Sequence, residues 1–382
     1  MLDVSILDRI DEIKKIDKSD MLGHCTKTSE YSQDAVERAE RIELPAKLDI
    51  SGKVSIKYKK PRHIVITGMG GSAIGGEILR DWLRDKLLIP IEISRDYTLP
   101  TYTNRDTLVF VVSYSGETEE TLSSFADALR KKCMIISITS GGPLLSFSEK
   151  LNLPFVRIPE GLPPRAAVSY LFFPLPILLE KMGVVSNVKE EIDETIQAVK
   201  GLGEANSPSI PFRNNFAKKM ALELVDTVPV VYGFKQYNAI AHRLKTQFNE
   251  NSKVVSSYDV FPELNHNEVV GWEAPEALTE HFSVIIIRDR NEPLEMRRRI
   301  EATKSLALKR AKKVLEIYAS GRGRLAKMFS VLHLGDFVSV YLAILQNKDP
   351  TPVKTISAIK KEMKKEFSVL DKVKDEIRKI TS

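Results

Sequence analysis

The stretch VVSYSGETEETL, residues 111–122, decides the fold. An apolar run, Leu108 to Val112, stops abruptly at Ser113, Tyr114, Ser115 and Gly116. An acidic helix start follows at Glu117, Thr118, Glu119 and Glu120 and continues as an amphipathic run to Leu129. A buried strand feeding a fresh helix is the repeating unit of an α/β sheet. The free N–H groups and the dipole of such a helix start favour an anion. Hydroxyls add donors without adding charge. Because the loop contains no Lys or Arg, a phosphate here would be held by neutral donors. The same residues also read as a plain capped helix after a strand, since Ser and Thr are common caps.

Outward from this stretch the pattern repeats. Strands are predicted at His63–Thr67, Ile89–Ser94, Leu108–Val112, Met134–Thr139 and Phe155–Ile158. A glycine-rich loop over 68–76 leads into a helix at Glu77–Asp85, and a Pro/Gly loop at 159–164 leads into a helix at 166–181. The second half echoes the first. Pro229–Tyr232, a turn at Gly233 and a helix at 238–249 match strand, glycine loop and helix at 64–85. Phe282–Ile287 and a helix at 294–309 match 108–130, without the serines. A further strand at Val314–Ile317 and a mostly apolar helix at 325–345 follow. The expected fold class is therefore α/β, with two doubly wound parallel sheets related by pseudo-duplication and helices in front. The expected division is an N-terminal helical segment at 1–50, a first domain at 51–185, a helix and linker at 186–215, a second domain at 216–365 and a helical tail at 366–382.

The chain has 382 residues, 43% of them apolar and 28% charged, with net charge +6, as in ordinary globular proteins of two domains. Val168 to Leu179 reads as the longest strongly apolar stretch; Pro174 and Pro176 break it, and it is too short to span a bilayer. The first residues alternate acids and bases without a signal-like apolar core. Two cysteines, Cys25 and Cys133, form neither a disulfide framework nor a metal-ligand pattern. These features predict a cytoplasmic protein with no metal and no cofactor. The basic C-terminal helix from Ile356 reads as a solvated face, because it lacks the aromatic residues of a nucleic-acid surface.

Several constellations carry chemistry on their own residues. Gly68 to Ala73 fits G-x-G-x-x-A after a strand, formally a dinucleotide fingerprint, but no clean acidic residue ends the next strand. The glycines serve equally for a close backbone approach to another ligand, or for a tight turn. Arg165 stands at a helix start, where the dipole disfavours a cation, so it either pairs with an anionic intermediate or lies exposed on a loop. Glu250 ends a helix amid amides, as a general base or as a solvated helix-end carboxylate. His266 lies between two amides and two acids, suited to proton handling or to a plain turn.

Taken in order, GMGGSAIGG (68–76), SYSGETEET (113–121), PRA (164–166), NENS (249–252), NHNE (265–268) and DPTPV (349–353) resemble the bifunctional phosphoglucose/phosphomannose isomerase family. The resemblance covers about residues 60–365 and implies two sugar-isomerase (SIS) domains. It implies that Ser113, Ser115 and Thr118 bind the sugar phosphate and that Gly70, Gly71 and Ser72 line the reacting end. Arg165 would stabilise an enediolate, and Glu250 would move a proton between carbons 1 and 2. His266 would open the sugar ring from a partner subunit, making a homodimer. A C-terminal lysine would assist, with Lys360 the best match beside Lys354 and Lys361. Thr351 would leave room for either epimer. The implied partner is a sugar phosphate, with no nucleic acid and no membrane. A phosphosugar-sensing regulatory module would keep the serines without needing Glu250 and His266, and a nicotinamide-dependent oxidoreductase would need the missing ribose-binding acid.

Overall fold

The computed structural model describes residues 3–363 and 369–381. The chain groups into two compact units: a first of Glu30–Lys189 with Lys354–Ser382, and a second of Met1–Ser29 with Glu190–Val353.

The first unit opens with an antiparallel hairpin of β1 (Lys47–Ile50) and β2 (Val54–Lys57). Its main sheet is wholly parallel, built from β3 (His63–Thr67), β4 (Ile91–Ser94), β5 (Thr107–Val112), β6 (Met134–Thr139) and β7 (Phe155–Arg157) in the order β4-β3-β5-β6-β7. Every residue of β5 and β6 is buried, as expected of strands covered on both faces. The chain winds from β3 to β4 on one side and then crosses to β5 on the other. The loops after β3 and β5 therefore open at a topological switch point, where α/β sheets bind ligands.

The second unit repeats this order with one strand fewer. β8 (Val228–Phe234), β9 (Ser257–Phe261), β10 (Phe282–Arg288) and β11 (Lys313–Tyr318) are parallel and run β11-β10-β8-β9. The first strand of each sheet lies between the second and the third, so the pseudo-duplication holds in topology. Helix Arg324–Leu345 forms the core of this unit and is buried along nearly its whole length. Among the described residues it is the one helix long and apolar enough to cross a membrane, and that stretch lies inside the unit. It thus exceeds Val168–Leu179, which folds as helices Val168–Phe172 and Pro174–Lys181.

Other departures from the expected layout have local causes. The helix after β3 begins at Gly71 instead of Glu77, because Ser72 and Ala73 N–H already bond back to Met69 and Gly70. The helix expected within 186–215 forms as Val188–Asn206; its Ile192, Thr195, Ile196 and Val199 are buried at helical spacing, and from Glu190 it groups with the second unit instead of standing between the two. The first 29 residues also group with that unit instead of forming a segment of their own. β9 was not anticipated; it is an edge strand, largely open to solvent, with no clean alternation in SYDVF. Of the tail expected at 366–382, residues 366–368 and 382 lie outside the described residues, and Val369–Thr381 is helical.

Candidate active site

At the switch point of the first sheet, Ser113 directly follows β5 and is fully buried, and its hydroxyl donates to Thr118 Oγ1 at 3.1 Å while accepting from Gly116 N at 3.1 Å. Ser115 is exposed and accepts from Glu117 N at 3.3 Å. Thr118 is the N-cap of helix Glu119–Arg130 but makes no side-chain cap bond, which leaves the first N–H groups of that helix for a ligand. Gly116 turns the loop at φ +67, and a Cβ there would stand 1.9 Å from Gly141 O, so no other residue fits.

The loop after β3 closes the other side. Gly70 caps helix Gly71–Leu83, and buried Ser72 accepts from Tyr114 N at 3.1 Å, tying the two loops together. A Cβ on Gly71 would lie 3.2 Å from Pro164 O, so the absence of a side chain lets the 3-10 turn Pro164–Ala167 pack against the helix start. That turn carries Arg165, which is 3% exposed. Buried here, the guanidinium is not an ordinary loop arginine.

Tyr114, quoted in the motif but given no role by sequence reasoning, organises the cradle. Its hydroxyl donates to Pro159 O at 2.9 Å and accepts from Leu162 N at 2.7 Å, holding the loop that leads to Arg165. Its carbonyl accepts from Ser140 Oγ at 2.7 Å. Burial pushes its phenol pKa up, keeping it a neutral donor.

In the second unit, helix Asn238–Gln247 runs into a π-helical turn, Phe248–Ser252, and Glu250 sits on it half-buried. Such turns interrupt the regular helical spacing and recur at functional sites. This one is fixed from several directions. Asn251 Nδ2 donates to Ser339 Oγ at 2.9 Å, and Ser252 Oγ donates to Ser339 O at 2.6 Å. Lys253, left-handed at φ 59, donates from Nζ both to Glu250 O and, at 2.8 Å, to Pro350 O. It thereby joins the Glu250 turn to the 349–351 loop. Thr351 follows, half-buried, its N–H donating to Asp349 Oδ1 at 3.0 Å.

His266 lies beyond β9, on the 3-10 turn Glu263–His266, and is exposed. Glu250 precedes the N-terminal end of β9 and His266 follows its C-terminal end. Lys354, Lys360 and Lys361 all lie on helix Lys354–Met363, where every described residue from Lys354 onward is exposed, and no contact singles out one of them. No group of three His, Cys, Asp or Glu side chains gathers as a metal site among the described residues.

Residues 57–153 match the SIS domain family, and residues 213–363 match the bacterial phospho-glucose isomerase C-terminal SIS domain. A bifunctional phosphoglucose/phosphomannose isomerase of Caldicellulosiruptor bescii is 42% identical over 325 residues, 85% of this chain and 96% of that protein. A protein of the same description from Aquifex aeolicus is 35% identical over 80% of this chain and 91% of its own length. Among solved structures, a hypothetical protein of Thermus thermophilus superposes with TM-score 0.71 over 95% of this chain and 94% of its own, at 15% identity, which speaks for the fold alone. On this identity and coverage, the chain belongs to the bifunctional phosphoglucose/phosphomannose isomerase family.

Proposed function

We propose that this chain interconverts glucose 6-phosphate and mannose 6-phosphate with fructose 6-phosphate through an enediol(ate). The observation that carries the reading is the identity to the curated isomerases along nearly their whole length. The chemistry of the residues supports it. Ser113, Ser115, Thr118 and the start of helix Glu119–Arg130 hold the phosphate through neutral donors. Gly70, Gly71 and Ser72 line the reacting end of the sugar. The Glu250 carboxylate removes the carbon-2 proton of the open-chain aldose, and the C–H electrons form the carbon 1–carbon 2 double bond. The carbonyl pair passes to oxygen 1, which takes the proton of the carbon-2 hydroxyl; as carbon 2 becomes the carbonyl, the same carbon-bound proton, returned from Glu250 to carbon 1, completes the ketose. Arg165, buried and cationic, stabilises the negative oxygen that develops on the way. Carbon 2 is planar in the enediol, so one intermediate leads to either epimer, and Thr351 leaves the room that both require. Lys360, or its neighbours Lys354 and Lys361, assists ring opening.

His266 opens the ring, and it does so in a partner's site, so the working form is a homodimer. The placement of Glu250 and His266 at opposite ends of β9 supports this. The substrate is a soluble metabolite, and the enzyme acts in the cytoplasm.

The test is a coupled assay of fructose 6-phosphate formation from each aldose separately, for wild type and Glu250→Gln. Comparable turnover of both sugars, lost in the variant, is expected. Phosphosugar binding without turnover of either sugar by wild type would overturn the isomerase in favour of a sensor.

A further inference from the structure

The NHNE motif contains more than His266, and its other residues form a frame. Asn265 Nδ2 donates to Thr303 Oγ1 at 2.7 Å, pinning the turn to helix Leu294–Leu306. Asn267 Nδ2 donates to Glu263 Oε1 at 2.9 Å, closing the turn on itself. Leu264 between them is fully buried. The next helical turn, Glu268–Gly271, is fastened to the sheet by one phenol. Tyr232, 0% exposed on β8, donates from its hydroxyl to Glu268 Oε1 at 3.0 Å and accepts from Trp272 Nε1 at 2.8 Å. Its ring meets Phe261, the last residue of β9, edge-on at 6.0 Å. Both ends of the His266 segment are therefore held by the same side chain. The imidazole itself stands in solvent with no hydrogen bond to any described residue.

An exposed side chain on a fixed backbone is suited to acting on something outside its own fold. Its rotamers are free, but its point of attachment is not, and small displacements of a catalytic group cost much of its effect. We propose that Tyr232 is a positioning residue for His266, acting through the hydrogen bonds to Glu268 and Trp272. The inference rests on the assignment of ring opening to His266. It gives the carboxylate of the motif, and a buried tyrosine far outside it in sequence, a part in the reaction without either touching substrate.

Ring opening can be read apart from isomerisation. In a Glu250→Gln background, proton transfer between carbons is stopped, and exchange between the anomers of fructose 6-phosphate, followed by NMR, reports ring opening alone. Adding Tyr232→Phe, which keeps the volume and removes both bonds, is expected to slow the enzyme-catalysed exchange about tenfold. The Kd for fructose 6-phosphate should stay within about twofold, a split that a general loss of structure would not give. Glu268→Gln retains an acceptor for the phenol and should restore the rate, whereas Glu268→Ala should match Tyr232→Phe. Full exchange in both Tyr232→Phe and Glu268→Ala, with exchange lost in His266→Ala, would overturn the positioning role while leaving His266 in place. Full exchange in His266→Ala would overturn the ring-opening assignment itself, and the proposal with it. If Tyr232→Phe fails to fold, Glu268→Ala carries the same test from a half-exposed position.

Discussion

The two sheets share strand order and differ in what fills their switch points. Beside β3 and β5 the polar groups are hydroxyls and backbone N–H, bonded to one another, with Ser115 and Thr118 at the mouth and Ser113 buried behind them. Beside β8 and β10 the same place is closed by charge. Asp289 accepts from Tyr237 OH at 2.7 Å and from Lys327 Nζ at 2.8 Å. On the other side of β10, toward β11, Arg288 pairs with Glu292 at 2.6 Å, with Glu301 at 2.8 Å and with Glu316 of β11. The fold supplies the crevice in both units, but only one sequence leaves it with donors to spare; the other satisfies itself.

The largest effect should separate chemistry from binding. Glu250→Gln is expected to lower kcat by about a thousandfold, as for loss of a general base, with phosphosugar affinity nearly unchanged. A variant that keeps more than about a tenth of the activity in the coupled assay would place the base elsewhere.

Next comes the charge beside the closed switch point. Arg288→Met leaves Glu292 buried without its guanidinium and should cost about 3 kcal/mol of stability in denaturant titration, with KM unaltered. A raised KM with unchanged stability would mean that this crevice also binds substrate, and the contrast between the sheets would fail. At the open switch point the signs reverse. Ser113→Ala or Thr118→Ala removes a donor to a charged phosphate, which is expected to cost about 2 kcal/mol of binding, a KM rise of about thirtyfold, and little stability.

Much of this contrast is legible in the sequence. The continuous apolar run Leu108–Val112 reads as a buried strand, and the hydroxyls placed directly after it mark the open loop. The charge beside the closed crevice is harder to read, because Arg288, Glu292, Glu301 and Glu316 come together only through tertiary packing. β9 escapes because an edge strand needs no apolar face. The π turn at Glu250 escapes because it depends on Ser339, 87 or 88 residues away. Tyr114 is visible as a letter but not as an organiser, since its partners lie on three other loops. For Glu250, His266 and the lysines, the residue types are readable while their roles rest on family likeness, because no local spacing brings them to one place.

The smallest expected effect separates the units by pH. His333 lies in the middle of the second unit's core helix, 0% exposed, its two nitrogens without hydrogen-bond partners among the described residues. Burial alone pushes its pKa from the usual 6.5 down to about 3. The folded chain therefore refuses a proton that the unfolded chain accepts below 6.5. The stability tied to this group is whole above pH 6.5 and declines as pH falls toward about 3, by about 1.4 kcal/mol per unit. By pH 5.5 the second unit should have lost about 1.4 kcal/mol from this histidine. The two tryptophans, Trp82 and Trp272, lie one in each unit, so Trp82→Phe leaves a fluorescence reporter of the second unit alone. Denaturant titration of that variant at pH 7.5 and 5.5, with and without His333→Leu, reads the term directly. The leucine should remove most of the difference, leaving the part that belongs to the partly buried His24. In Trp272→Phe, where Trp82 reports on the first unit, the midpoint should shift less, because no fully buried histidine lies among the described residues of that unit. An unchanged pH dependence in His333→Leu would show that the acid sensitivity of the second unit resides elsewhere, with His24, whose pKa burial also holds below 6.5, the first place to look.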